Sequence, residues 1–97
     1  MPKAYWITAY HSISNADALA AYAKIAGPAL TEAGGKFLAR GMPSATKEQG
    51  MMQRTVVIEF PSLEAANAAY NSPGYKKALE ALGKNAAVRD IRIVEGV

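Results

Sequence analysis

One segment in the second half of the chain, Arg54–Tyr75, constrains the fold more than any other part of the sequence. It reads RTVVIEFPSLEAANAAYNSPGY. The apolar, β-branched run at its start predicts a buried type of strand, and the proline turn that follows leads into an alanine-rich helix. Ser72 and Pro73 predict the start of another helix, because serine caps helices and proline is tolerated at the first helical position. The segment therefore predicts one strand followed by two helices.

The first half of the chain predicts a strand, a helix and a second strand. Residues Lys3–Tyr10 alternate between aromatic or β-branched types and small ones, which is typical of a strand. An apolar stripe at helical spacing covers Leu19–Leu30. Pro28 lies within this stripe and predicts a kink or break, because proline removes a backbone donor. The glycine pair that follows predicts the end of the helix, and Lys36–Arg40 is the second predicted strand.

Two further strands complete the predicted order. An exposed loop is expected over Gly41–Met52, where glycine, proline and mixed charges follow no period. The third strand is predicted over Arg54–Phe60 and the fourth over Val88–Glu95. The βαββαβ order predicts a ferredoxin-like α+β fold, with a four-stranded antiparallel sheet and the helices on one face. A length of 97 residues allows one core, so residues 1–97 are expected to form a single domain.

A sheet that is covered by helices on one side only exposes its other face. We expect the apolar residues Val57, Val94 and Trp6 on this second face. A large exposed apolar patch is typical of an interaction surface. The sequence therefore predicts a homodimer that forms through the open face of the sheet, as a dimeric α/β barrel.

Composition excludes several kinds of site. The chain has no cysteine, which excludes disulfides, thiolate catalysis and thiolate metal sites. One histidine and scattered carboxylates give no metal-ligand spacing, so no metal is predicted. The glycine pair follows a helix and precedes a strand, which is the reverse of a phosphate-binding loop. No cofactor is therefore expected.

Composition also bounds the partners. The net charge of +3 comes from basic residues that are spread along the chain, so no nucleic-acid partner is predicted. No apolar run approaches the roughly 20 residues that span a bilayer, and the first residues do not resemble a signal peptide. We expect a cytoplasmic protein with no membrane partner.

Four short motifs occur in order along the chain. They are GGKFLARG at 34–41, VVIEFPS at 56–62, SPGY at 72–75 and IVEG at 93–96. Together they resemble the DUF1330 family of uncharacterised proteins over nearly the whole chain. The resemblance implies the ferredoxin-like, dimeric α/β-barrel superfamily, which includes muconolactone isomerases, cofactor-free monooxygenases, heme-degrading enzymes and stress-responsive proteins. A fold shared so widely implies no single reaction.

His11 and Arg40 are the candidate catalytic residues. His11 is the only histidine and follows the first predicted strand, and an imidazole titrates near neutral pH, as a general base must. The alternative is an exposed loop histidine. Arg40 offers a fork of donors that matches a carboxylate, either on a ligand or on Glu59 of the adjacent predicted strand. An Arg40–Glu59 pair is then either structural or part of a pocket.

Tyrosines supply the remaining candidate ligand contacts. Tyr10, Tyr22 and Tyr75 are predicted to line a pocket with Glu59, because a phenol offers both apolar surface and a hydroxyl. The alternative places these rings in the core. The sequence favours a homodimer that binds a small organic molecule, either as a cofactor-independent isomerase or oxygenase, or as a non-catalytic ligand-binding or stress-related protein. Whether the protein is an enzyme is left open by the sequence.

Overall fold

Four strands form one antiparallel sheet, and three helices pack on one of its faces. A computed structural model describes residues 2–97. In chain order the elements are β1 (Ala4–Ile13), α1 (Ala16–Glu32), β2 (Lys36–Gly41), β3 (Thr55–Phe60), α2 (Leu63–Tyr70), α3 (Pro73–Leu82) and β4 (Ala87–Glu95). The strands lie in the order β2-β3-β1-β4. This arrangement confirms the predicted ferredoxin-like fold, and strands β2, β3 and β4 begin and end within one residue of the predicted bounds.

The first strand is longer than predicted. β1 does not end at Tyr10 but continues to Ile13, because it resumes its pairing with β4 after an irregularity between Tyr10 and Ser12. Beyond this irregularity Ser12 lies opposite Val88. The extra residues carry no apolar alternation, so only the partner strand reveals that they are extended.

All three helices begin at a side chain that accepts a hydrogen bond from the backbone three residues further on. The caps are Asn15, Ser62 and Ser72, with oxygen-to-nitrogen distances of 3.0, 3.1 and 3.3 Å. Pro73 occupies the first turn of α3, where its missing N–H has no helical partner to lose. The prediction that Ser72 and Pro73 restart the second helical segment is therefore confirmed.

Helix α1 runs without interruption through Pro28, so the predicted break is wrong. Tyr22 and Ala26 before the proline, and Leu30 after it, are all buried in the core. Because both halves of the helix pack on the same sheet, their burial outweighs the one backbone hydrogen bond that the proline removes. Pro28 itself is exposed.

The core lies between the helices and one face of the sheet, which we call the covered face. Even-numbered residues of β1 and β3 point into it, as the alternation of these strands predicts. Trp6 is at its centre with 1% of its surface exposed, so its placement on the open side was wrong. Its ring stacks on Phe60 at 6.1 Å between centroids and meets Tyr75 edge-on at 5.2 Å. The indole N–H donates to the Thr8 hydroxyl at 2.8 Å.

The opposite side of the sheet, which we call the open face, carries odd-numbered residues of β1 and β3 and has no helix over it. Tyr5, Ile7 and Val57 form its apolar middle, and Val94 at its edge is 49% exposed. Two ion pairs of 3.0 Å, between Lys3 and Glu59 and between Asp90 and Arg92, lie around this apolar middle. Within residues 2–97 no helix has both the length and the apolar character needed to cross a membrane.

Gly35 is the point where the chain between α1 and β2 comes nearest to the core. A Cβ at this position would lie 2.8 Å from the Leu30 carbonyl oxygen and 2.9 Å from a ring carbon of Phe60. We therefore expect Gly35→Ala to lower the free energy of unfolding by about 1–3 kcal/mol, as overpacked cores do. Urea denaturation followed by circular dichroism measures this change.

The matched control is Gly27→Ala on α1, where an added Cβ meets no atom within 4 Å. Alanine is a better helix former than glycine. The control should leave the free energy of unfolding unchanged or slightly raised. Equal losses in the two variants would contradict the close approach at Gly35.

Candidate functional site

A cavity of ≈ 40 Å³, which we call the α1 cavity, lies between α1 and the covered face of the sheet. Exposed Ala23 and Arg40 mark its mouth. Its walls come from the sheet and from α1, and the lining residues are Trp6, Thr8, Tyr10, Leu19, Tyr22, Ala23, Ala26, Gly27, Leu30, Phe37, Arg40, Arg54, Val56 and Ile58. Most of the lining is apolar or aromatic, and the charged lining residues are both arginines.

The interior of the α1 cavity is small. A single water needs about 10–15 Å³ of such space, so the cavity holds about three waters. Pockets for drug-sized ligands are typically about 300–1,000 Å³. The α1 cavity can therefore enclose a group of a few heavy atoms, while any larger part of a ligand must lie at the mouth. At the mouth the Arg40 guanidinium stacks on Phe37, 4.9 Å from the ring centre.

Two phenols behind the cavity wall are joined by a buried hydrogen bond. The hydroxyls of Tyr22 and Tyr75 are 2.7 Å apart, and their rings meet nearly at right angles. Tyr75 has no exposed surface. Burial, together with the neighbouring Tyr22, raises the pKa of Tyr75 well above its ordinary value. Tyr75 is therefore a neutral phenol at physiological pH.

Arg89 of β4 lies against the same phenols. Its guanidinium carbon is 4.8 Å from the centre of the Tyr22 ring and 5.8 Å from that of Tyr10. Burial lowers the pKa of Arg89, but the neighbouring Tyr22 and Tyr75 outweigh it, and the pKa is raised above its ordinary value. A fixed positive charge therefore lies against the rings of Tyr10 and Tyr22, and both of these rings line the cavity.

Two buried side-chain nitrogens have no hydrogen-bond partner within residues 2–97, and both belong to arginines of this region. They are Nε of Arg54 and Nη1 of Arg89. Both arginines flank Tyr10 in the sheet, because Tyr10 lies opposite Arg89 on β4 and donates its backbone N–H to the Arg54 carbonyl at 3.0 Å. Buried donors are rarely left unpaired in proteins, so these two nitrogens are notable.

Of the residues proposed from sequence, the structure brings four together. Tyr10, Tyr22 and Arg40 line the α1 cavity, and Tyr75 is bonded to Tyr22 behind it. Tyr75 is thus a buried support of the wall and does not itself line the cavity.

His11 lies elsewhere, and the structure separates it from Arg40. His11 is exposed and faces a different, open depression beside the loop that follows β2, together with Asp90 and Arg92. The pKa of the Asp90 carboxyl is lowered chiefly by its hydrogen bond from Arg92, with a smaller contribution from His11. A catalytic pair of His11 and Arg40 in one cavity, as hypothesised from sequence, is not formed in the protomer.

Glu59 also lies on the open face, and the Arg40–Glu59 ion pair, one of the two alternatives for Arg40, is not formed. Although β2 and β3 are adjacent, Arg40 lies opposite Val56 and shares its side of the sheet, whereas Glu59 points the other way. Glu59 instead accepts a hydrogen bond from the Lys3 ammonium at 3.0 Å. This hydrogen bond raises the pKa of Lys3.

Sequence reasoning missed Arg54 and Arg89, although a signal for each was present. Arg89 is two positions before Ile91, and Arg54 is two positions before Val56, so alternation places both arginines with the core-facing side chains. The alternation was not applied to these two residues, because arginine side chains are mostly exposed to solvent in proteins. Both arginines lie within the predicted third and fourth strands, so the alternation of those strands alone places them on the inward face.

The sequence model of a family described as "Domain of unknown function (DUF1330)" matches residues 3–97 of the chain. The chain belongs to the DUF1330 family. This confirms the family resemblance of the four sequence motifs. Among curated proteins, none matches the chain.

Solved structures of similar fold include those of the following three proteins. RPA0582 of Rhodopseudomonas palustris, a protein of unknown function, has a TM-score of 0.75 at 19% identity, over 99% of this chain and 83% of that one. A Caulobacter crescentus CB15 protein, provisionally described as an antibiotic biosynthesis monooxygenase, has a TM-score of 0.62 at 16% identity, with 99% and 91% covered. SnoaB of Streptomyces nogalater, a cofactor-independent oxygenase, has a TM-score of 0.60 at 14% identity, with 96% and 91% covered. At these identities the likeness shows the fold alone.

The buried phenol of Tyr75 predicts a loss of stability in alkali. Because its pKa is raised in the folded state, the unfolded chain loses this proton first once the pH exceeds about 10, and stability then falls by up to about 1.4 kcal/mol per pH unit. Tyr75→Phe removes this contribution, so its free energy of unfolding should fall less steeply with rising pH. Below that pH the variant should be about 1 kcal/mol less stable, because the bond to Tyr22 is lost.

Urea denaturation at several pH values between about 9 and 11 measures both effects. Tyr5→Phe on the open face is the control, because it also removes one phenol but leaves the Tyr22–Tyr75 hydrogen bond intact. Identical alkaline slopes for Tyr75→Phe and the wild type would contradict the buried, protonated phenol.

Proposed function

We propose that this protein binds a small organic molecule in the α1 cavity, and that it does so as a homodimer. The observation that carries the binding proposal is the cavity itself, which is open at one end and combines an apolar lining with a few polar groups. This combination is typical of ligand sites, where apolar surface provides affinity and a few polar groups fix orientation.

The dimensions of the cavity indicate how the ligand lies. A polar group of about three heavy atoms fits inside, in place of about three waters. The remainder of the ligand lies at the mouth between Ala23 and the Arg40–Phe37 stack. A flat, apolar body suits this place, because a planar guanidinium already stacks on an aromatic ring there.

Ligand binding without catalysis is the alternative that we adopt. Isomerase or oxygenase chemistry was expected to use His11 for proton transfer, but His11 lies outside the α1 cavity. Within residues 2–97 the lining of this cavity includes no histidine and no carboxylate, the usual general bases. The oxygenase activity of SnoaB belongs to a protein that is 14% identical and supports only the idea that this fold can hold a small molecule.

The dimer proposal rests on the open face. Tyr5, Ile7, Val57 and Val94 present apolar surface there, and no helix within residues 2–97 covers it. The protomer is only 17 Å thick in its smallest dimension, about that of one sheet and one layer of helices. A second copy, packed sheet to sheet, would cover this surface, as the dimeric α/β barrel requires. The cytoplasmic location stays a prediction from the sequence.

Trp6 gives a direct test of ligand binding, because it is the only tryptophan and it lines the α1 cavity. Benzamide carries a three-atom polar group on a flat ring, and it should change the fluorescence of Trp6 in a saturable manner. Ala23→Leu should weaken this response at least tenfold by closing the mouth of the cavity.

Ala21→Leu makes the same substitution on the exposed side of α1, away from the cavity, and should respond as the wild type does. A loss of response in the control as well would show that the change at the mouth is not specific. If neither benzamide nor its carboxylate analogue benzoate alters Trp6 fluorescence in the wild type, the proposed function is wrong.

Mass measurement tests the homodimer. At micromolar concentration, light scattering should give twice the protomer mass for the wild type. Ile7→Lys places a charge in the middle of the open face and should give the protomer mass, since an unpaired charge is costly to bury. Ala21→Lys on α1 is the control and should remain dimeric. A wild type with the protomer mass would exclude the dimer.

A further inference from the structure

We propose that the ligand of the α1 cavity is a carboxylate, held by Arg54 inside and by Arg40 at the mouth, with Arg89 as a positioning residue behind the wall. This inference rests on the proposed function, because it names the chemical class of the molecule that the cavity binds. Its basis is the charge of the arginines at the cavity and the buried, unpaired Nε donor of Arg54.

The charged residues that line the α1 cavity, and the one that lies over two of its rings, are all positive. Arg40 and Arg54 line it, and Arg89 lies directly behind the rings of Tyr10 and Tyr22. None of its lining residues within 2–97 is acidic. The acidic groups of the neighbouring strands, Glu59 and Asp90, are on the opposite side of the sheet and are paired with Lys3 and Arg92. The field inside the cavity therefore favours an anion.

The unpaired donor of Arg54 points to the same conclusion independently of net charge. Nε of Arg54, a residue that lines the cavity, is buried without an acceptor within residues 2–97. A water molecule could accept a hydrogen bond from this nitrogen, but it would leave the charge of the guanidinium uncompensated. A carboxylate both accepts the hydrogen bond and compensates the charge, and charge-assisted bonds of this kind are stronger than neutral ones.

The geometry of the donors and the size of the cavity favour a carboxylate over other anions. Arginine presents planar, forked donors that match the two oxygens of a carboxylate. A carboxylate group has three heavy atoms, which matches the space for about three waters inside. Phosphate and sulfate have five heavy atoms and a tetrahedral shape, so they fit the interior less well.

Arg89 acts through the tyrosines and not by contact with the ligand. It is not among the residues that line the α1 cavity, and its guanidinium lies over the rings of Tyr10 and Tyr22, which are. Its charge adds to the positive potential at the cavity and holds the two rings in place. The carboxylate ligand is therefore contacted by Arg54 and Arg40 alone among the basic residues.

Benzoate and benzamide test this inference, because they have the same shape and differ in charge. Each is titrated into the isotopically labelled full chain, and amide NMR shifts of cavity residues on α1, such as Ala26, locate the binding. We expect benzoate to bind about tenfold more tightly than benzamide or better, the difference between a charge-assisted and a neutral hydrogen bond. Inorganic phosphate, titrated in parallel, should not shift these amides.

The variant Arg54→Met should remove the preference for benzoate while benzamide still binds. Arg92→Met, which removes an arginine from the opposite side of the sheet, is the control and should retain the preference. Circular dichroism checks that each variant is folded. If Arg54→Met does not fold, Arg40→Met replaces it, since Arg40 is exposed and should reduce the preference severalfold.

The outcomes separate this inference from the proposed function. Equal affinities for benzoate and benzamide would overturn the carboxylate assignment while ligand binding stands. Binding of phosphate to the same amides with equal affinity, or an unchanged preference in Arg54→Met, would also overturn it. If neither aromatic probe shifts the cavity amides, the proposed function falls together with the inference.

Discussion

The two-residue period of the β-strands is the constraint on which the rest of this structure depends. On β1 and β3 every second side chain points into the core, and the intervening ones point to the open face. Trp6 and Phe60 are buried for this reason, while Ile7 and Glu59 remain outside. A shift of one residue in the register would exchange the two sets, so burial of the aromatic core fixes the register of the whole sheet.

The same alternation of side chains brings the positive charges of the candidate site to one face of the sheet. Arg54 just before β3 and Arg89 on β4 are at inward-facing positions on either side of β1, where Tyr10 lies between them. The rings of Tyr10 and Tyr22 next to Arg89 supply no countercharge. The result is a small cavity with an apolar lining, unpaired donors and positive potential, an arrangement that a packed core alone does not require.

Much of the fold could be predicted because its signals are local. The caps Ser62 and Ser72, the alternation of β3 and the glycines after α1 act within a few residues of chain, and each of them appears in the structure as expected. Two predictions failed where distant partners decide the outcome. Pairing with β4 extends β1 beyond Tyr10, and packing against the sheet carries α1 through Pro28. Neither effect is visible in a short window of sequence.

The sequence by itself determined the order of the elements, their caps and the family, because alternation, helical spacing and capping are properties of neighbouring residues. Only the tertiary structure decided the site. In the folded chain Tyr22 and Tyr75, which are 53 positions apart, share a hydrogen bond. Glu59 forms an ion pair with Lys3 and not with Arg40. His11 lies on the other side of the sheet from the cavity. The physical reason is that a site is a meeting of side chains from separate strands and helices. Which of them meet depends on register and packing, and these are settled only when the sheet has assembled.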